Sequence, residues 1–257
     1  MSSSAELLRV SFRVPAVDAE IARARLLELA PTGFEELDAG AEVELAVYTD
    51  ATGEHRIRST FAERVSSEPV LLGWDERWRK FHRPVRAGGL WIGPPWEALP
   101  VGEPAVVVDP GRAFGTGAHP TTRACIELLA AHDRGSVLDA GTGSGVIAAA
   151  AARLGFEPVF ALDVDQDAVE AAAATASRNG AHVRVAHADV LVDALPKIDL
   201  VVANIELRSV EALLARGPAA RAITSGYLAH EHPCAKGWEP SARLEVEGWA
   251  ADAFTAL

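Results

Sequence analysis

Apolar and polar residues alternate at the start of the chain: Leu8, Val10, Phe12 and Val14 interleave with Arg9, Ser11 and Arg13. Period two is the mark of a half-buried strand. Over Ala16–Ala30 the spacing changes to a roughly helical one, carried by Ile21, Ala24, Leu26, Leu27 and Ala30. Residues 33–37 and 41–48 read as a second and third strand around an Asp38-Ala39-Gly40 turn. Residues 53–65 read as a short helix and 69–72 as a fourth strand. The order strand, helix, strand, strand, helix, strand predicts a small ferredoxin-like α+β domain over 1–73. No site chemistry is visible in it.

The pattern breaks over 74–104, a stretch rich in Trp, Arg and Pro: W-D-E-R-W-R-K-F-H-R-P-V, then G-G-L-W-I-G-P-P-W. Pro94, Pro95 and Pro100 exclude a long helix. This stretch reads as a linker. Trp74, Trp78 and Phe81 share one face of a short helix, either as packing for a hinge or as a recognition surface.

From 105 onward apolar strands alternate with helices. A helix opens at His119-Pro120, with Pro in the first turn, and runs to about His132. Val137-Leu138 is the first central strand, followed by a helix from Val146 that Gly155 ends. Val159 to Leu162 is the second strand. A helix capped by Asp165 or Asp167 follows and ends near Asn179-Gly180. Val183 to Ala186, the continuously apolar Leu200-Val201-Val202-Ala203, and Ala222 to Leu228 are the third to fifth strands. A helix at Val210–Ala215 precedes the fifth, and a hairpin around Glu247-Gly248 closes the chain. Alternation of this kind predicts a parallel sheet with right-handed crossovers.

Composition narrows the class. The 257 residues, 49% hydrophobic and 23% charged, suit one large domain plus a small one. Neither signal-peptide pattern nor long apolar run stands out, so a cytoplasmic protein without a membrane span is expected. Cys125 and Cys234 have no C-x-x-C spacing, and neither a disulfide nor a metal site is expected. A net charge of −12 disfavours direct nucleic-acid binding and suits a basic or neutral partner.

The chemistry concentrates where strands end. V-L-D-A-G-T-G-S-G-V-I around Asp139 places glycines at 141, 143 and 145 between a strand and a helix. The spacing is G-x-G-x-G, not the dinucleotide G-x-G-x-x-G, and resembles the S-adenosylmethionine loop of Rossmann-like methyltransferases. Open α/β sheets bind ligands at the carboxyl ends of their strands. Asp163 ends the second strand, suited to both ribose hydroxyls. Asp189 follows the third, placed for an adenine amino group or a loop cap. Asn204 ends the fourth, where an amide both donates and accepts. A dehydrogenase is disfavoured by the glycine register and by Asn204.

Upstream lies D-P-G-R-A-F-G-T-G-A-H-P-T-T, Asp109 to Thr122. Together with A-L-D-V-D, V-V-A-N-I, the earlier W-x-x-F-H-x-P and the late E-G-W-A, it resembles the bacterial ribosomal protein L11 methyltransferase family, firmly over about 74–228. The resemblance implies a substrate-recognition domain (1–73), a linker (74–104) and a Rossmann-like class I methyltransferase domain (105–257). It implies S-adenosylmethionine as cofactor and trimethylation of lysine and N-terminal amines on ribosomal protein L11. Carried over by position, Thr122, Gly141, Asp163 and Asn204 match the cofactor residues, with Phe114, Thr116, Gly143 and Asp189 beside them and Asn204 as the catalytic amide. A monomer is expected.

The chain departs from that pattern at Thr142, often Cys in the family, and at Glu206, commonly apolar there. After Leu228, Pro233, Gly237 and Pro240 shorten an expected helix. The proton acceptor is left as Glu206 or solvent. Alternatives are a methyltransferase of another protein lysine or a small amine, and a module that holds the cofactor without turnover.

Overall fold

The computed structural model describes residues 8–30, 34–38, 40–61, 65–70, 82–109 and 117–257. They fall in two compact units, Met1–Lys80 and Phe81–Leu257.

In the smaller unit, β1 (Leu8–Pro15), α1 (Ala19–Leu29), β2 (Glu35–Asp38), β3 (Glu42–Thr49), α2 (Ala51–Phe61) and β4 (Ser66–Pro69) follow in order. Their sheet is antiparallel with order β2-β3-β1-β4. Alternation puts Val10, Phe12, Val43, Leu45 and Val47 on one face, in a core with Leu26 and Ile57. Phe12 stacks on Phe61 with ring centroids 4.1 Å apart. Arg9, Arg13, Glu35 and Glu44 occupy the other face as a ladder of ion pairs. The Asp50 carboxylate caps α2 through the N–H groups of Thr52 and Gly53, each at 2.9 Å. A fourth strand lies at Ser66–Pro69, overlapping the expected 69–72 only at its end, and residues 71 and 72 lie outside the described residues. It is a polar edge strand that pairs Glu68 opposite Arg9, so hydrophobic pattern gave no signal for it.

The larger unit begins with three short strands, β5 (Val85–Ala87), β6 (Leu90–Gly93) and β7 (Ala105–Val107), in one sheet. This corrects the expected linker. Ala87, Leu90, Ile92, Val106 and Val108 belong to the main hydrophobic core of this unit, so 82–104 is folded against it. Residues 74–81, with the helix expected around Trp74, Trp78 and Phe81, lie outside the described residues.

The main sheet has seven strands: β8 (Val137–Ala140), β9 (Val159–Asp163), β10 (Val183–His187), β11 (Ile198–Asn204), β12 (Ala219–Leu228), β13 (Trp238–Val246) and β14 (Trp249–Ala256), in the order β10-β9-β8-β11-β12-β14-β13. The first five in that order are parallel, β14 pairs antiparallel with β12, and β13 pairs antiparallel with β14. Helices α3 (Pro120–Ala131), α4 (Val146–Arg153), α5 (Gln166–Arg178) and α6 (Leu207–Ala215) connect them. Every residue from Leu200 to Ala203 is buried, as a central strand covered on both faces requires. The order reverses between β8 and β11, a switch point whose crevice opens at the strands' carboxyl ends.

No helix follows β12. Pro233 and Pro240 lack the N–H a helix needs, and 229–237 forms a loop. Arg243 takes over part of the missing helix's role. Its guanidinium donates to Asp252 at 2.8 Å and to the carbonyls of Ala229 and Glu231 at 2.6 and 3.0 Å. Trp238, 7% exposed, fills the space beside α6 and donates its indole N–H to the Leu214 carbonyl at 2.9 Å. A bulge in β12 sits at Gly226. There φ is +101°, and a Cβ would come within 2.0 Å of the Ile205 carbonyl oxygen, so only glycine fits.

Among the described residues no helix is long and apolar enough to cross a membrane. No cluster among them is able to hold a metal, and Cys125 and Cys234 are both free.

Candidate active site

The loop after β8 is built around a buried acid. Asp139 is 2% exposed; it accepts from the Thr142 hydroxyl at 2.6 Å and the Ala148 N–H at 3.1 Å. Burial pushes its carboxyl up to about 6, against those two bonds. Asp139 therefore ties the loop to the first turn of α4 and does not reach a ligand itself. Gly141 has φ +73°, and a Cβ there would meet Ile205 Cγ2 at 2.4 Å. The Gly143 N–H donates to Asp163 Oδ2 at 2.9 Å, joining the tips of β8 and β9. The second oxygen of Asp163 accepts the Asp165 N–H at 3.0 Å. Each carboxylate oxygen keeps a further lone pair.

Asp189 follows β10. It lines the cavity, and its carboxylate accepts the Leu191 N–H at 2.8 Å as a loop cap. At the tip of β11 the Asn204 amide donates to Thr122 Oγ1 at 3.3 Å. Thr122, 2% exposed, lies in the first turn of α3. That turn is capped by His119, whose Nδ1 lies 2.7 Å from Thr121 Oγ1, with Pro120 at the first helical position. The Asn204 carbonyl oxygen is left to accept.

Thr122, Gly141, Gly143, Asp163, Asp189 and Asn204 thus line one cavity of about 410 Å³. Phe114 and Thr116 lie outside the described residues. Sequence reasoning missed Val164, Leu191, Ile205 and Ser209, which also line it. Val164 carried a signal: an apolar side chain directly after a strand-ending acid, 59% exposed at the cavity. Ser209 carried none, since a lone serine in a helix reads as surface. Glu206 is exposed and outside the lining; it accepts from Ser209 Oγ at 3.1 Å.

The arrangement fits an adenosyl amino acid. The volume is within the usual range for small-molecule sites. Asp163 has lone pairs for vicinal hydroxyls, Val164 and Leu191 offer apolar surface for a flat base, and the glycine corner presents backbone rather than side chains.

Residues 40–251 match the model of the family described as ribosomal protein L11 methyltransferase (PrmA). The ribosomal protein L11 methyltransferase of Geotalea uraniireducens is 41% identical over 174 residues, 59% of this chain and 55% of that protein. That of Pelotomaculum thermopropionicum is 47% identical over 139 residues, 51% of this chain and 45% of that protein. For Myxococcus xanthus the figures are 34% over 194 residues, 71% and 67%. This chain spans about half the length of the first two relatives. The crystal structure of ribosomal protein L11 methylase from Lactobacillus delbrueckii subsp. bulgaricus is similar with a TM-score of 0.62 at 27% identity, covering 68% of this chain and 99% of that one.

Proposed function

We infer, from a chain that belongs to the ribosomal protein L11 methyltransferase family, that it transfers methyl groups from S-adenosylmethionine to lysine and N-terminal amines of ribosomal protein L11. The observation that carries this reading is the Asn204–Thr122 contact at 3.3 Å, which sets an oriented amide at one end of the cavity that Gly143 and Asp163 close at the other.

Asp163 would hold the ribose hydroxyls, with Val164, Asp189 and Leu191 around the base and the Gly141–Gly143 backbone around the amino-acid end. When bound, S-adenosylmethionine supplies a methyl group on a sulfonium, already activated for in-line displacement. What remains for the protein is position and desolvation. Asn204, donating to Thr122, keeps its carbonyl oxygen as acceptor for an N–H of the incoming amine and so aims the nitrogen lone pair. The amine must be neutral to react. A lysine, with an ordinary pKa of about 10.4, must lose a proton, whereas an N-terminal amine near 7.7–8.0 needs little help. Asn204 is no base. With Glu206 exposed and engaged by Ser209, the proton goes to solvent.

The proposal includes a cytoplasmic monomer in which the smaller unit presents the protein substrate. A net charge of −12 favours encounter with a basic protein over nucleic acid. Incubation with methyl-labelled S-adenosylmethionine and separated ribosomal proteins tests the reading. Label on L11 alone is expected. Label on another protein or a small amine, or cofactor binding without transfer, would replace it.

A further inference from the structure

The cofactor cavity covers only part of the sheet's upper edge. Its lining comes from the tips of β8, β9, β10 and β11 and from helices α3, α4 and α6; β12 and β14, next in the strand order, contribute nothing. Displacement at a sulfonium methyl requires the nucleophile to arrive opposite the sulfur. If Asn204 stands at the methyl, the approach runs from the side away from the cavity, over the ends of β12 and β14. Asn204 pairs with Ser225 in β12, and three residues further Leu228 pairs with Trp249 at the start of β14. Trp249 therefore stands past the Asn204 level, two strands over in the sheet.

Trp249 is not alone there. Its ring meets the His119 imidazole edge to face, with centroids 5.0 Å apart and planes at 69°. His119 is the N-cap of α3, three residues before Thr122. Arg123, in the same turn, donates to Glu247 at 2.6 Å, which pins the β13–β14 hairpin to α3 and fixes the two rings against each other. Both rings are half-buried, so each keeps accessible surface. Burial, followed by the charge of Arg123, holds His119 below its ordinary value, with Glu247 opposing. The imidazole is thus neutral near pH 7 and does not repel a cation.

We propose that Trp249, braced by His119, is the acceptor seat: an aromatic wall that holds the substrate amine beside Asn204 and retains it as methyl groups accumulate. Trp249 is the specificity-determining residue and His119 the positioning residue. This rests on the methyltransferase reading above. A tryptophan face attracts ammonium and methylammonium groups through its quadrupole. That attraction survives methylation, whereas each hydrogen bond from the amine is lost as an N–H becomes N–CH3. A seat of this kind lets a partly methylated amine stay for another transfer, and an all-polar seat would release it.

The test uses the full chain with Trp249→Leu, Trp249→Phe and, at the brace, His119→Asn, which keeps a capping side chain. Cofactor affinity is measured by calorimetry with S-adenosylmethionine. KM, kcat and the ratio of mono-, di- and trimethylated products are measured on purified ribosomal protein L11. For Trp249→Leu the expected result is cofactor affinity within about twofold, an acceptor KM raised about 5- to 30-fold, and products shifted towards monomethyl. Trp249→Phe restores most of both, and His119→Asn gives the same shift in weaker form. The proposal is overturned by wild-type KM and product ratio in Trp249→Leu. It is equally overturned if that variant loses cofactor affinity together with melting temperature, or if Phe does no better than Leu. A wild-type chain that binds cofactor but methylates no amine sinks the underlying reading instead, and this inference with it.

Discussion

The two halves of the seven-stranded sheet handle polar side chains in opposite ways. In the half formed by β10, β9, β8 and β11, polar atoms stand at strand tips and face a cavity: Asp163, Asp189 and Asn204 each keep acceptor capacity toward open space. In the half formed by β12, β14 and β13, they turn inward and satisfy one another. Tyr227 donates to Asp252 at 2.8 Å and lies 2.7 Å from the Thr224 hydroxyl, while Arg243 closes the group on Asp252. Burial and the nearby Asp252 push the Tyr227 hydroxyl far above its ordinary value, so it stays a neutral donor. Polar groups that complete their bonds inside the fold specify structure. Those held in place with bonds to spare are equipped for a ligand.

That contrast should break along a clear line when either half is cut. Asp252→Ala leaves the Arg243 guanidinium and the Tyr227 hydroxyl without their shared partner. It is expected to cost about 3 kcal/mol or more of stability, read as a lower melting temperature, with cofactor affinity per folded molecule unchanged. Asp163→Ala should do the reverse. Loss of charge-assisted bonds to the ligand lowers cofactor affinity by roughly a hundredfold, about 3 kcal/mol, and moves the melting temperature far less. Equal damage to both quantities in either variant would remove the distinction.

Asp139 stands between the two cases: it is fully buried but incompletely compensated. Its carboxyl is raised from 3.8 to about 6 in the fold, so between pH 4 and 6 the native state holds the proton that the unfolded chain has released. Stability contributed by this group therefore falls as pH rises through that window and is level above it. Melting curves from pH 4 to 7 should show that decline in the parent chain and a flatter line in Asp139→Asn; identical slopes would contradict the assignment. The smallest effect expected is none at all. Glu206→Gln should leave the methylation rate and its pH profile as they are, and a shifted acidic limb would make Glu206 the proton acceptor.

Much of the ligand half could be read without coordinates. Continuous apolar strands mark their own ends, and a Gly, an acid and an amide at successive ends are hard to explain as separate caps, which is how Gly141, Asp163 and Asn204 stood out. Ser209 did not, because nothing local distinguishes a cavity-facing serine from a surface one. The 82–104 stretch was misread for a related reason. Its prolines and tryptophans suggest a connector, while its two short strands, β5 and β6, are stabilised by a core supplied from α3 and α4.

Taken by itself, then, the order of residues determined the succession of strands and helices from α3 to β12, the glycine corner and the strand-end acids. These follow from interactions within a few residues, periodicity and backbone freedom above all. Folding in three dimensions decided the rest. Thr122 reaches Asn204 across 82 residues of chain, and Arg123 reaches Glu247 across 124. Arg243 and Trp238 stand in for a helix that prolines forbid. Contacts of that range depend on which surfaces the sheet brings together, and no local pattern records them.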